Sequence, residues 1–241
     1  MNAVIFDLET YLNASIAGEI YATKEYKPSE KMSSMDKVPA AITKLKSDTL
    51  REERTHEWKM EQADKIEANI QAQKQKDWNK SALHWTTGKV VSVSASSLSD
   101  NLNYDKAGHD EAEILQGFVN YVEQFNTDVK MVGKSNKRFD DGFLIGRLMV
   151  NNIRIPYVLR QINPYDMTDI NQIFGWGNQH PQHAKLEHYC IALSLGGKLA
   201  KGSDVHKMVE EEKWDEIIAY NKQDTDLTKQ IMKRYCDLCK G

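Results

Sequence analysis

A chain of 241 residues that is 40% hydrophobic and 28% charged has the composition of a packed globular protein, with room for one large α/β domain, and not that of a disordered one. Its formal net charge of −3 does not announce a nucleic-acid binder, although a basic rim beside an acidic site stays compatible with it. No apolar run approaches the ~20 residues that span a bilayer, and no charged segment precedes an apolar one at the N-terminus, so neither membrane association nor a signal peptide is expected. Cys190, Cys236 and Cys239 are odd in number, which points to a reducing, cytoplasmic setting. Cys236 and Cys239 form a C-x-x-C at the chain end. It lacks the second pair that zinc wants, and it follows a helical pattern instead of opening one, so ordinary helix-end cysteines are expected.

Residues 3–8 are apolar on both faces, as in a strand covered on two sides. Residues 16–22 are expected to pair with them as a hairpin. Between 39 and 80 the chain is charge-rich, with sparse apolar residues, and reads as one or two solvated helices inserted into the domain. Its basic and acidic residues nearly balance, so it is taken as a solvated arm, with a DNA clamp or a partner surface as the alternative. VVSVS at 90–94 returns to strand character. Residues 111–125 carry Ile114, Leu115, Phe118, Val119, Val122 and Phe125 on one helical stripe. A short strand at 129–133, a helix at 139–152, a loop-rich stretch from INPYDMTD onward and a closing helix at 214–235 complete the order. That order predicts a mixed β-sheet flanked by α-helices.

Three places carry acids where the pattern does not want them. Asp7 and Glu9 end the most buried strand, on one face, with Cα atoms ~6.6–7 Å apart. They repel unless a cation lies between them or one is protonated, or else they simply reach solvent. On the closing helix, Asp224 falls on the apolar stripe of Ile217, Leu227 and Ile231, with Tyr220 one turn before it. A buried carboxylate is paired, hydrogen-bonded or metal-bound. In GKSNKRFDDGF, Asn136 is placed to cap the following helix, which puts Asp140 and Asp141 in or near its first turn, where acids are also favoured by the helix dipole.

Taken together, FDLET, SNKRFD and YNKQD, in that order, resemble the motifs of the DEDD 3′–5′ exonucleases of the RNase H-like superfamily, in the branch marked by tyrosine. Within it the chain is most similar to stand-alone, often phage-encoded relatives of the proofreading domain of family-B DNA polymerases. LEHYCIALSLGGKLAKGSDV and the charged insertion ending HWTTGKVVSVS support the resemblance, which runs over most of the chain. Asn221 stands where cysteine is common, and Asp141 is a second acid beside the matching Asp140; neither removes a matched carboxylate. The resemblance implies a single RNase H-like domain over residues 1–241, with the charged helical insertion at about 39–80 inside it. It also implies two ions, Mg²⁺ or Mn²⁺, with Asp7 bridging both, Glu9 and Asp224 holding the first, Asp140 supporting the second, and Tyr220 orienting the attacking water.

The expected reaction is hydrolysis of single-stranded DNA from its 3′ end to nucleoside 5′-monophosphates. RNA is the alternative substrate, and a catalytically silent single-strand-binding module is the alternative of another class. Lys134, Lys137 and Arg138 flank the second motif and are expected at phosphates, with Asn136 beside them. Thr10, Tyr11 and Leu12, just past the first motif, are expected at the terminal nucleotide. Phe139 is expected in the core, and Trp176 is either a base contact or a loop anchor. His180, His183 and His188 fit no common zinc spacing. Replication or recombination proteins are the expected partners. The compartment would be a host cytoplasm if the chain is phage-encoded, and the sequence sets no oligomeric state.

Overall fold

The computed structural model describes residues 2–27, 38–125, 129–136, 139–160, 169–174, 184–197 and 202–239. The chain divides into two compact units, one of Met1–Ala14 with Ala82–Gly241 and one of Ser15–Ser81.

In the first unit, β1 (Ala3–Leu12) pairs antiparallel with β2 (Gly88–Ser97) and parallel with β4 (Lys130–Val132), while β3 (Asn103–Ala107) pairs antiparallel with β2. The sheet is thus mixed, in the order β3-β2-β1-β4. β1 lies inside it, which is why its apolar residues show no alternation. Val4, Phe6 and Leu8 go to one face; Ala3 and Ile5 go to the other. The first face carries the larger core, against α3 (Glu111–Val122) and α4 (Asp140–Val150). Phe6 and Phe118 meet there with ring centroids 6.0 Å apart. Burying each such ring contributes roughly 1.5–3 kcal/mol.

The opposite face is crossed by α8 (Trp214–Leu238). Apart from Val91, which packs with Ile217 and Tyr220, β2 meets it with serines. Asn221 Nδ2 donates to Ser92 Oγ at 3.0 Å, Thr225 Oγ1 to the Ser94 carbonyl at 3.4 Å and Lys229 Nζ to Ser96 Oγ at 2.9 Å. Strand β3 was not foreseen because NYDKA has no apolar alternation. It is a polar edge, held to β2 by side chains as well as backbone: Ser94 Oγ donates to Asp105 Oδ1 at 2.6 Å and Ser96 Oγ to Asn103 Oδ1 at 2.7 Å. Three short helices pack around α8 and β1: α5 (Ile170–Phe174), α6 (Leu186–Ala192) and α7 (Val205–Glu210).

The expected hairpin at 16–22 is corrected: Ala14–Ala22 is a helix, α1. Ile16 and Ile20, and Ala17 and Tyr21, recur at four-residue spacing, which is helical and not period two; β2 takes the antiparallel place beside β1. Helix α2 (Asp48–Lys80) fills most of the second unit and has no buried residue. Ser47 Oγ accepts from Leu50 N–H at its start. This is the solvated arm that its charge pattern predicts, in a unit that begins at Ser15. Among the described residues no helix is long and apolar enough to cross a membrane.

Candidate active site

Asp7 and Glu9 pair in register with Ser94 and Ser92. They continue the row of Ala3 and Ile5, so they point toward α8. Just beyond them the register slips, with Val91 as an extra residue on β2 between the pairs Glu9–Ser92 and Thr10–Val90. Such a bulge increases a strand's local twist, and pairing then resumes as far as Leu12–Gly88.

Helix α8 brings Tyr220 and Asp224 to the same place. Both sit on its buried stripe, at 4% and 7% exposure. The Tyr220 hydroxyl is pushed above its ordinary value, first by burial and then by the charges of Glu9, Asp224 and Asp7, with a hydrogen bond to Asp224 adding to the effect. Three of the expected acids therefore act on one hydroxyl.

Asp140 opens α4 and is buried. Its carboxyl is held well above the usual carboxylate range, first by burial and then by the negative charges of Asp7, Asp141 and Asp169. Asp7 thus links Asp140 to the group around Tyr220. Asp7, Glu9, Asp140, Tyr220 and Asp224 together line one cleft of about 700 Å³. Asp141, adjacent in sequence, does not line it; it turns inward to accept from Asn136 Nδ2 at 3.3 Å.

The loop before α4 is fixed by a network that sequence reasoning missed. Asp169 accepts hydrogen bonds from the N–H groups of Ser135 at 3.0 Å and Asn171 at 2.9 Å. Asn171 Nδ2 donates to Ser135 Oγ at 2.7 Å, and Tyr189 Oη donates to Asn171 Oδ1 at 3.0 Å. These bonds hold Ser135 at φ 66°, a conformation costly for a residue with a side chain. Gly133, bridged to Asp169, passes so close to β1 that a Cβ there would stand 3.0 Å from the Phe6 carbonyl oxygen. The signal for Asp169 was present: an Asp directly before an Ile-Asn-Gln-Ile-Phe turn is an N-cap pattern.

Asn136 departs from expectation. Helix α4 starts with Phe139 at its N-cap, too far on for the Asn136 side chain to cap it. The Asn136 carbonyl instead accepts from the N–H groups of Phe139 at 3.2 Å and Asp141 at 2.9 Å. Its side chain is fully buried, so it offers no surface to a bound strand, and its Oδ1 meets no donor among the described residues. Lys134 lines the cleft; Lys137 and Arg138 lie outside the described residues. Thr10, Tyr11 and Leu12 do not line it. They follow the bulge, where Tyr11 packs edge-on to His206 with centroids 4.8 Å apart and Leu12 is buried. Phe139, expected in the core, packs on Phe143 with centroids 5.2 Å apart and also lines the cleft. Lys185 and Asp204 also line the cleft, and no local pattern marks them. Trp176, His180 and His183 lie outside the described residues, and His188 is exposed. Cys236 and Cys239 sit in the last turn and at the C-cap of α8, as expected.

Carboxylate oxygens are the donors that hard divalent cations take. Among the described residues no group of three or more His, Cys, Asp or Glu side chains stands close enough together to hold a metal ion. Asp7 and Glu9 are only partly buried where β1 lines the cleft.

A family model described as a predicted 3′–5′ exonuclease related to the exonuclease domain of PolB matches residues 76–237. Asp140, Tyr220 and Asp224 fall inside that stretch; Asp7 and Glu9 precede it. No curated protein matches the chain. Its fold is similar to part of the family B DNA polymerase from the hyperthermophilic archaeon Pyrobaculum calidifontis. The TM-score is 0.52 at 13% identity, over 97% of this chain and 24% of the polymerase. This chain therefore spans about a quarter of that polymerase's length, and the likeness concerns the fold. With two thirds of its length matched by the family model, the chain belongs to the predicted 3′–5′ exonucleases related to the exonuclease domain of PolB.

Proposed function

We propose that the chain removes nucleotides from the 3′ end of single-stranded DNA, releasing nucleoside 5′-monophosphates, with two Mg²⁺ or Mn²⁺ ions as cofactors. The observation that carries this reading is the convergence of Asp7, Glu9, Asp140 and Asp224 on one cleft with Tyr220, where burial and like charge oppose the ionisation of Asp140. Those four side chains would hold the ions. When bound, such ions lower the pKa of a coordinated water and offset negative charge on the leaving oxygen.

The chain's own groups supply the rest. Tyr220 stays protonated because its hydroxyl is pushed up, so it donates to Asp224. Its oxygen can then accept from the attacking water and aim a lone pair at phosphorus. The water oxygen bonds to phosphorus, the bond to the 3′ oxygen breaks, and the proton the water loses ends on that leaving oxygen or in solvent. Lys134 and Lys185, the cations of the described lining, would meet the phosphates of the strand.

The test is digestion of 5′-labelled DNA and RNA single strands of one sequence with Mg²⁺, Mn²⁺ or EDTA. A descending DNA ladder that EDTA abolishes supports the reading. A faster RNA ladder moves the substrate to RNA. Binding without cleavage in either metal makes the chain a silent binding module.

A further inference from the structure

Among the described residues, Ser135, Asn152, Ser194 and Glu212 take a positive φ without being glycine. Three of them close a helix. Asn152, Ser194 and Glu212 come directly after the C-caps of α4, α6 and α7, and the N–H of the next residue bonds back to each helix at 2.8 Å. A left-handed residue is ordinary there. Ser135 closes nothing. It follows β4 in the loop that leads to Asp140, and it lines the cleft beside Lys134. Its φ of 66° is one that glycine would adopt without strain. A side chain held in such a conformation points to a use for it.

That side chain has a donor to spend. A serine hydroxyl accepts hydrogen bonds and carries one proton of its own. Here it accepts, from Asn171 Nδ2 at 2.7 Å. The other end of the same amide, Asn171 Oδ1, accepts from Tyr189 Oη at 3.0 Å. Burial, and then the charge of Asp169, push the Tyr189 hydroxyl up, so it stays protonated and keeps that bond. The Ser135 N–H is committed to Asp169 at 3.0 Å. The bonds from Tyr189 through Asn171 to Ser135 therefore run in one direction. They end on an O–H proton that meets no acceptor among the described residues.

We infer that the Ser135 hydroxyl is a contact for the bound strand, donating to a non-bridging phosphate oxygen, with Asn171 and Tyr189 as positioning residues that keep its proton for the cleft. The choice of a phosphodiester as the acceptor rests on the exonuclease reading. Lys134 beside it is a point charge on a flexible stem and fixes no angle. A hydroxyl on a braced loop fixes where the oxygen must lie.

The experiment measures binding of a 5′-labelled oligothymidylate to the full chain by fluorescence anisotropy in EDTA, and its hydrolysis in Mn²⁺. Ser135→Ala is expected to bind ~10-fold more weakly, the effect of one hydrogen bond to a charged group. It should raise KM by a similar factor with kcat within ~2-fold of wild type. Tyr189→Phe leaves the Asn171 amide able to turn and take the serine proton, and is expected to weaken binding ~3-fold. A methylphosphonate placed at each linkage in turn gives a readout that a loop-bracing role would not move. At one linkage it is expected to cost wild type ~10-fold more affinity than it costs Ser135→Ala. Equal profiles, or wild-type affinity in Ser135→Ala, would reduce the hydroxyl to a brace and overturn the inference. Ser135→Gly, whose backbone takes this φ freely, carries the same test if the alanine variant does not fold; unfolding midpoints check both. A wild type that binds but cleaves nothing, with the serine effect present, would keep the contact and remove the exonuclease reading. Cleavage by the wild type with binding unaltered in Ser135→Ala would do the reverse.

Discussion

Two groups of charged side chains in the first unit are built on opposite principles. Under α3 and α4, Glu111 receives Arg147 Nε at 2.8 Å and Nη2 at 2.6 Å, the Val90 N–H at 2.7 Å and Asn151 Nδ2 at 3.0 Å, while Arg147 Nη1 donates to the Trp85 carbonyl at 2.9 Å. Every charge there has its opposite and its hydrogen bonds. Across the sheet, Asp7, Glu9, Asp140 and Asp224 share a cleft in which the carboxyl of Asp140 is opposed by burial and by other acids. The first arrangement is complete as it stands. The second gathers acids that oppose one another, and that difference separates a structural ion pair from a candidate site.

The largest effect that sharpens this contrast is on turnover. Asp7→Ala is expected to lower kcat at least ~10³-fold, about 4 kcal/mol of barrier, while its melting temperature in EDTA equals or exceeds that of wild type, since one like charge is gone. A melting temperature clearly below wild type would make Asp7 a structural residue. Glu111→Ala should do the converse. Leaving Arg147 buried and alone costs roughly 3–5 kcal/mol of stability, read as a lower urea midpoint, with the fraction that stays folded keeping its turnover.

Smaller is Tyr220→Phe, expected to reduce kcat ~10–100-fold, about 1.4–2.7 kcal/mol, because the carboxylates remain; total loss would assign the hydroxyl more than orientation of water. The smallest effect is one of pH. Asp140 binds its proton more tightly folded than unfolded, so its contribution to stability is present below the ordinary carboxylate value of ~3.9 and is lost as pH rises through its raised folded value. In EDTA, wild type should therefore lose melting temperature over that rise more steeply than Asp140→Asn, and Mn²⁺ should cancel the difference. Equal slopes in EDTA would remove Asp140 from the like-charge group.

What the sequence disclosed of this contrast follows from what periodicity can register. β1 and α8 were legible because they are long and their apolar residues are regular, and Asp224 stood out as an acid on a stripe that should be apolar. Asp7 and Glu9 were legible as a pair on one strand face. Glu111 was not: an acid in the first turn of a helix is ordinary, and only its distant partner Arg147 shows that it is buried. The serine-lined face of β2 was likewise hidden, because its partners come from segments far apart in the chain, as was the bond from Ser135 N–H to Asp169, whose N-cap pattern alone is local. At residues 16–22 the apolar run is too short to exclude a strand by itself, and its four-residue spacing becomes a helix while β2 takes the place beside β1.

The central claim is that these carboxylates jointly hold divalent ions, and anomalous diffraction from a crystal soaked in Mn²⁺ tests it most directly. The account predicts two peaks among Asp7, Glu9, Asp140 and Asp224, absent from the Asp7→Ala crystal. A soaked wild-type crystal with no peak in the cleft would contradict it.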